Sequence, residues 1–536
     1  MLFSSFIFLF GFLPAALAGF FVAGRFGRPV AAAWLVVASL AFYGWWEPRF
    51  LAVLLGSILF NYLAAAAVRR LEAMPRRQAV LLTLAIAANL LTLIYYKYLF
   101  SIFGFLRSTG IADVPFTPVL LPLGISFFTF TQIGYLLDVK QGVSKVSNPL
   151  DYLLFVTFFP HLIAGPILHN REMMPQYADP GTFRFNAANL AVGLSIFTIG
   201  LVKKTVLADP VSSVVGPGFA DPGALGLMGA WHVALSYSLQ LYFDFSGYSD
   251  MAIGLARMFN IRFPLNFNSP YKAASIIEYW QRWHMTLTRY LTLYLYNPIA
   301  LAATRRRVAR GLPITRKAYA TPGGFMAMVA GPTFVTMGLA GAWHGAGAQF
   351  LVFGLLHATY LAVNHAWRLW RPSKGKLPDG PGRHMGKVAL TYLVVLVAAV
   401  FFRAPSCGAA LDLLAGMAGL HGNSPGLDLP QFPSGAVRDI LTGMGIVAAP
   451  DGRSVPFGTT ILRAGWLTLL YAIVWFAPNT QQVMRHHAPA LERIQPWTHG
   501  WPAMQIGPAW AVALGLGLML GILATSGTAE FLYFQF

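Results

Sequence analysis

Charge is what this sequence has least of. Only 11% of its 536 residues are Asp, Glu, Lys or Arg, against 56% hydrophobic residues, which is too little polarity to cover the surface of a soluble protein of this length. A polytopic membrane protein is expected instead. Acidic residues are scarcer still, 19 against 38 Lys and Arg, giving a formal charge of +19. That excess does not indicate a nucleic-acid surface, because the basic residues fall mainly in short segments between apolar runs, as cytoplasmic loops require. Cysteine is nearly absent, and the single Cys407 excludes an intrachain disulfide, so helix packing must hold the fold. There is no Walker loop and no G-x-S-x-G nucleophile elbow; Phe245-Ser246-Gly247 is not one.

Long apolar runs are what the sequence has instead. Leu2–Val22, Val30–Trp46, Phe50–Val68 and Val80–Phe100 are each close to the roughly 20 residues that cross a bilayer core. The first carries an Ala-Leu-Ala but no basic segment before it, and reads as an uncleaved span. Arg25 and Arg28 after the first run, and Arg69, Arg70, Arg76 and Arg77 after the third, place those loops in the cytoplasm and the N-terminus outside. Residues 1–118 are thus N-terminal spans, 119–370 a motif-bearing core and 371–536 further spans, all in one integral-membrane domain. The Gly-, Pro- and Asp-rich stretch near 422–458 reads as a loop. The all-α chain is expected to have roughly 11 to 13 transmembrane or re-entrant elements.

The core is where the apolar pattern breaks. Val119–Leu137 contains Pro122, Gly124, Ser126, Thr129, Thr131 and Gln132, and Pro160 and Pro166 flank His161; both segments must be packed inside protein, the second as an interrupted helix. A span from Ala187 is expected to end at Lys203 and Lys204. The run from Met228 to Phe259 carries Gln240, Asp244, Asp250 and Arg257, which have to face a bundle interior, as internal ion pairs or as substrate contacts. Ile276–Tyr296 reads as one amphipathic helix, with Trp280, Trp283, His284 and Leu287 on one face and Glu278 and Arg282 at i, i+4 spacing on the other. Arg305, Arg306, Arg307, Arg310, Arg316 and Lys317 read as a basic cytoplasmic loop, and Arg368, Arg371, Lys374, Lys376, Arg383 and Lys387 as a second. Between them, the apolar run Phe334–Leu356 holds Gly341-Ala342-Trp343-His344-Gly345-Ala346-Gly347, where the chain is expected to turn.

His344 is the first candidate for chemistry. Acyl transfer to a hydroxyl needs a base beside the hydroxyl and stabilisation of charge at the carbonyl oxygen, and an imidazole supplies such a base near neutral pH. His284, with Trp280, Arg282 and Trp283 around it, suits an acyl donor or its phosphate, or serves as an interfacial anchor. His161, His284 and His344 have neither the close pairing nor the Cys partner of a metal site, and no metal is expected.

Several stretches, in the same order, resemble the bacterial membrane-bound O-acyltransferase family. They are Pro122-Leu123-Gly124-Ile125-Ser126-Phe127-Phe128-Thr129-Phe130, Phe159-Pro160-His161-Leu162-Ile163-Ala164-Gly165-Pro166, Phe243-Asp244-Phe245-Ser246-Gly247-Tyr248-Ser249-Asp250-Met251-Ala252, Tyr279-Trp280-Gln281-Arg282-Trp283-His284 and Trp343-His344-Gly345-Ala346. Pro478-Asn479-Thr480-Gln481-Gln482 and Phe531-Leu532-Tyr533-Phe534-Gln535-Phe536 resemble its polysaccharide branch. The resemblance implies a horseshoe or funnel of helices in the inner membrane, with His344 as the catalytic histidine and His284 as a second functional one. His161, Asp244, Asp250, Trp280, Arg282, Trp283 and Trp343 become substrate- or donor-binding candidates. It further implies acetyl-CoA as donor substrate, no bound cofactor, an exported alginate-like polysaccharide as acceptor and a periplasmic partner resembling SGNH hydrolases, in a lipid setting. D-alanyl or peptidoglycan acyl transfer by the same fold is the alternative, and a non-catalytic acyl or glycan exporter a third reading. Gln281 departs from the family, which often has a basic residue there.

Overall fold

The computed structural model describes residues 1–111, 119–371, 380–422, 457–494, 504–525 and 531–532, with 457–463 described in backbone only. Every regular element among them is helical. Six helices are long and apolar enough to span a bilayer: Ile7–Gly24, Phe50–Arg70, Pro75–Lys97, Ala187–Ala220, Pro322–His344 and Pro381–Arg403. Shorter apolar helices accompany them, among them Arg28–Gly44, Cys407–Met417 and Pro508–Leu523. This is an all-α, multi-pass membrane protein. Most of the 422–458 stretch, Lys374, Lys376 and the four residues after Leu532 lie outside the described residues.

The chain forms two compact units, one comprising residues 1–205, 245–265 and 480–535 and the other 206–244 and 266–479. The first unit opens with α1 (Leu13–Gly24), α2 (Arg28–Gly44), α3 (Phe50–Arg70), α4 (Pro75–Lys97) and α5 (Leu99–Ser108). Apolar side chains cannot by themselves select one helix pairing from another in lipid, and buried amides do. Asn61 on α3 and Asn89 on α4 exchange hydrogen bonds of 3.0 and 2.8 Å, and Gln132 on α6 (Ile125–Lys140) donates to the Ser57 hydroxyl at 2.9 Å. The expected interruption at His161 is present. α7 (Pro149–Thr157) stops and the four-residue α8 (Phe159–Leu162) follows, because Pro160 lacks the amide a continuous helix needs. The short α9 (Asn170–Ala178) precedes α10 (Ala187–Val202).

Two expectations about helix ends are corrected. The span from Ala187 does not stop at its lysines: a π-helical turn, Lys203–Ala208, carries α10 into α11 (Asp209–Ala220). Lys203 is neutralised by Asp250 at 2.6 Å and Lys204 lies over the Phe531 ring at 4.6 Å, so neither has to reach water. The first basic loop is also largely helical. Arg305, Arg306 and Arg307 sit in α15 (Asn297–Ala309) and Arg316 and Lys317 in α16 (Arg316–Tyr319), the first three toward the helix C-terminus, where cations complement the dipole.

The 32-residue α12 (Leu227–Met258) contributes to both units. Within the first unit it meets α10 with glycines of the two helices backbone to backbone. A Cβ on Gly193 or Gly200 would lie 2.6 Å from the carbonyl oxygen of Gly254 or Gly247, and Gly254 and Gly247 are blocked reciprocally. The seven-residue spacing on both helices makes this a small-residue crossing. Gly200→Ala is therefore expected to cost about 2 kcal/mol, seen as a lower melting temperature in detergent. Gly216→Ala, on α11 with open space around its Cβ, is expected to be neutral or slightly stabilising.

The second unit continues through α13 (Ile276–Trp280), α14 (Met285–Leu291), α15, α16, α17 (Pro322–Phe325) and α18 (Gly331–His344) to α19 (Ala348–Trp370), α20 (Pro381–Arg403) and α21 (Cys407–Met417). α18 and α19 form a hairpin whose turn is Gly345-Ala346-Gly347, as the glycines predict. Their backbones are close enough that a Cβ on Gly341 would meet the Phe350 carbonyl oxygen at 2.3 Å, and one on Gly354 the Met337 oxygen at 2.3 Å.

Candidate active site

His344 is the last residue of α18, and Gly345 beyond it is extended. Its side chain is buried among rings: Trp343 at 4.8 Å, Phe402 of α20 at 5.0 Å and Phe353 of α19 at 6.0 Å between centroids, each edge-on. Three rings from three helices fix the imidazole's orientation and keep bulk water from it.

His284 comes from a break the sequence reading did not foresee. Ile276–Tyr296 is not one helix: α13 ends at Trp280, a turn follows, and α14 starts at Met285 before a π-helical turn, Thr292–Tyr296. The break is His284 itself, at φ 42° and ψ 53°, a left-handed conformation that costs a non-glycine residue about 1–2 kcal/mol. Of the four described non-glycine residues with positive φ, three (Asn260, Ser269 and His284) fall in this one stretch of sequence, and such strain concentrates where function over-determines the backbone. Asn266 holds the conformation. Its Oδ1 accepts from the Thr286 amide (3.4 Å), the Thr286 hydroxyl (2.9 Å) and His284 Nδ1 (2.9 Å), while its carbonyl accepts from the Met285 amide. An oxygen that already takes an amide N–H can only accept. His284 therefore carries its proton on Nδ1, and the lone pair is on Nε2.

The neighbouring residues divide into packing and ion pairing. Trp283 stacks between Tyr279 (5.8 Å, 13°) and Tyr271 (6.3 Å, 12°) and meets Phe267 edge-on at 5.0 Å. Arg282 pairs with Glu278 at 2.6 Å, the i, i+4 contact expected from spacing. Glu278 also accepts from the Ala274 amide, while the N-cap Ser275 hydroxyl accepts from the Glu278 amide, so two amides at the start of α13 are satisfied by side chains. Asp244 is buried on α12. Trp280 donates its indole N–H to His357 Nδ1 at 3.3 Å.

His344, His284, Trp343, Trp280, Arg282, Trp283 and Asp244 thus belong to the second unit, and His161 and Asp250 to the first. His161 is buried and its Nε2–H donates to the Phe155 carbonyl at 2.9 Å, capping the interrupted helix. With Phe127, Phe128 and Thr131 of α6 it lines a narrow, mostly apolar pocket, so two of the sequence motifs meet there. Asp250 is a structural hub: it takes Lys203 and Thr480 at 2.6 Å and Gln481 at 3.0 Å. Asp250→Ala would deprive the largely buried Lys203 side chain of this counter-charge, at a cost of about 3 kcal/mol, and is expected to lower the yield of folded protein. Adding Lys203→Met should recover that yield, measured by fluorescence-detected size exclusion.

His357 is the residue the sequence reading passed over. The apolar run ends at Leu356, one position short of it. The signal was present, since an ionisable group inside a helix as apolar as α19 is expensive unless it has a task.

Apolar helices of spanning length, together with buried histidines at a helix end (His344), between short helices (His284) and in a short interrupted helix (His161), define a multi-pass membrane protein with imidazoles in its interior. The membrane-bound O-acyltransferase family model matches residues 123–312, which include His161, Asp244, Asp250 and Trp280–His284. The peptidoglycan O-acetyltransferase of Helicobacter pylori is 38% identical over 79% of this chain and 81% of its own. The probable alginate O-acetylase of Pseudomonas aeruginosa is 35% identical over 78% and 75%, and that of Pseudomonas syringae pv. tomato 32% identical over the full length of both. The chain belongs to the membrane-bound O-acyltransferase family and is a multi-pass membrane O-acyltransferase.

Proposed function

We propose that this protein passes acetyl groups from cytoplasmic acetyl-CoA across the inner membrane for O-acetylation of an exported, alginate-like polysaccharide. The observation that carries the reading is a pair of buried imidazoles in one compact unit, His344 held by rings at a helix end and His284 held by Asn266 with its lone pair on Nε2. His344 takes the proton of the hydroxyl that receives the acyl group as its oxygen bonds to the acetyl carbonyl carbon. The thioester C–S bond breaks, coenzyme A leaves as a thiol with the proton returned by His344, and His284 assists by hydrogen bonding or by relaying that proton. Trp280, Trp283 and Trp343 shape the apolar walls. Arg282, ion-paired to Glu278, contributes positive potential rather than a free guanidinium. Arg305, Arg306, Arg307, Arg316 and Lys317 offer the cytoplasmic charge that suits the phosphates of acetyl-CoA. A periplasmic hydrolase-like partner takes the acetyl group to the sugar.

Peptidoglycan as acceptor is the second reading, favoured by the identity to the Helicobacter pylori enzyme. Mass spectrometry of the exported polysaccharide and of muropeptides, from cells with and without this protein, separates the two. Loss of acetyl groups from the exported polysaccharide alone supports the first reading and loss from muropeptides alone the second. Unchanged acetylation of both would overturn the proposal.

A further inference from the structure

α19 is built with two contacts one helical turn apart. At Phe353 its ring meets His344 edge-on at 6.0 Å and Phe402 at 4.9 Å. At His357, four residues later, an imidazole only 1% exposed meets Phe353 at 4.7 Å, the Trp280 ring at 5.1 Å and Tyr279 in parallel at 6.1 Å and 6°. A polar contact orders this apolar cluster at His357: Trp280 Nε1 to His357 Nδ1 at 3.3 Å. An indole nitrogen only donates, so His357 Nδ1 must accept and its proton is on Nε2. The opposite tautomer would set two N–H groups against each other in a site without bulk water. The backbone of α19 is fixed against α18 by the Gly341 and Gly354 contacts, so it has little freedom to adjust if that bond is lost.

We propose that His357 is a positioning residue for the acyl transfer: by accepting the Trp280 indole proton and seating Phe353, it holds the segment leading to His284 at a fixed spacing from His344. The role rests on the acyltransferase reading above, but the geometry carries a prediction of its own. His357→Phe keeps the ring and removes the acceptor. His357→Asn places an amide oxygen near the position of Nδ1, and Trp280→Phe removes the donor.

The test uses the purified full-length protein in detergent, with two readouts: transfer of label from acetyl-CoA to a soluble oligosaccharide supplied as acceptor, and the rate at which diethyl pyrocarbonate modifies His344, followed by peptide mass spectrometry. His357→Phe is expected to lower turnover about 10–100-fold, as a misplacement of about 1 Å transmitted from a residue outside the chemistry can do, with the KM for the donor little changed. His357→Asn should restore most of that loss, and the His357→Phe/Trp280→Phe double variant should be no slower than the worse single one. The His344 modification rate should shift several-fold in His357→Phe and return in His357→Asn. The proposal is overturned if His357→Asn is as impaired as His357→Phe, if the two losses multiply, or if the His344 modification rate is unmoved. A wild-type protein that transfers no acetyl group to that acceptor while its His344 reactivity follows this pattern would overturn the donor and acceptor proposed above and leave the positioning role standing.

Discussion

His344→Ala is expected to lower acyl transfer by about 10³-fold or more, within the range that removal of a general base produces, while the protein still inserts and folds. The argument rests on where the imidazole sits. It ends α18, so none of its side-chain atoms is needed to continue the helix, and the turn after it is made by glycines. Its ring is packed edge-on by Trp343, Phe353 and Phe402, and deleting it leaves a small cavity in an aromatic cluster, a cost of about 1–3 kcal/mol. A folded but inactive protein is the expected phenotype. The check is acetylation of the exported glycan alongside the amount of membrane-inserted protein. Wild-type acetylation in this variant would remove His344 from the mechanism, and loss of the protein from the membrane would show its role to be structural. His344→Gln keeps most of the volume without the basic nitrogen, and should be equally inactive with its melting temperature nearly unchanged.

The second large effect is at His284, where activity and stability are expected to respond differently to the same substitutions. Both His284→Ala and His284→Gly should reduce turnover by about 10²–10³-fold. They should differ in stability, because alanine retains the cost of the left-handed backbone at φ 42° and glycine does not. The glycine variant is expected to be about 1 kcal/mol more stable than the alanine variant, a reversal of the usual order inside helices. Asn266→Ala provides an independent approach to the same group. It removes the oxygen that takes the His284 Nδ1 proton, so the imidazole is released to the other tautomer, and turnover should fall with His284 still in place. Two outcomes would sink this account: equal stability of the alanine and glycine variants, or an Asn266→Ala protein with full turnover.

Strain and catalysis are connected here by hydrogen bonding. The backbone at His284 persists because Asn266 takes three donors at once on its side chain and a fourth on its carbonyl. The same contacts that impose the unfavourable φ also decide which imidazole nitrogen keeps its lone pair. A continuous helix through residues 276–296 would relieve the strain and lose the proton assignment.

Much of the protein was legible in its sequence, for a consistent reason. Apolar runs fixed where helices span, Pro160 fixed the interruption at His161, and the glycines around His344 fixed the turn between α18 and α19. The Glu278–Arg282 pair followed from spacing alone. Each of these is a local property: chain length against bilayer thickness, a missing amide, a backbone without Cβ, or two residues one helical turn apart. Tertiary structure alone decided the rest. His284 breaks a helix that its amphipathic pattern makes continuous, because a partner 18 residues away reaches its Nδ1. Lys203 does not end a span, because Asp250, 47 residues on, removes the need for water. His357 joins Trp280 across 77 residues, a contact no periodicity encodes. Hydropathy specifies which groups must leave water, but in a low-dielectric interior the identity of each polar partner is set by helix packing, and that packing determines the geometry around His344 and His284.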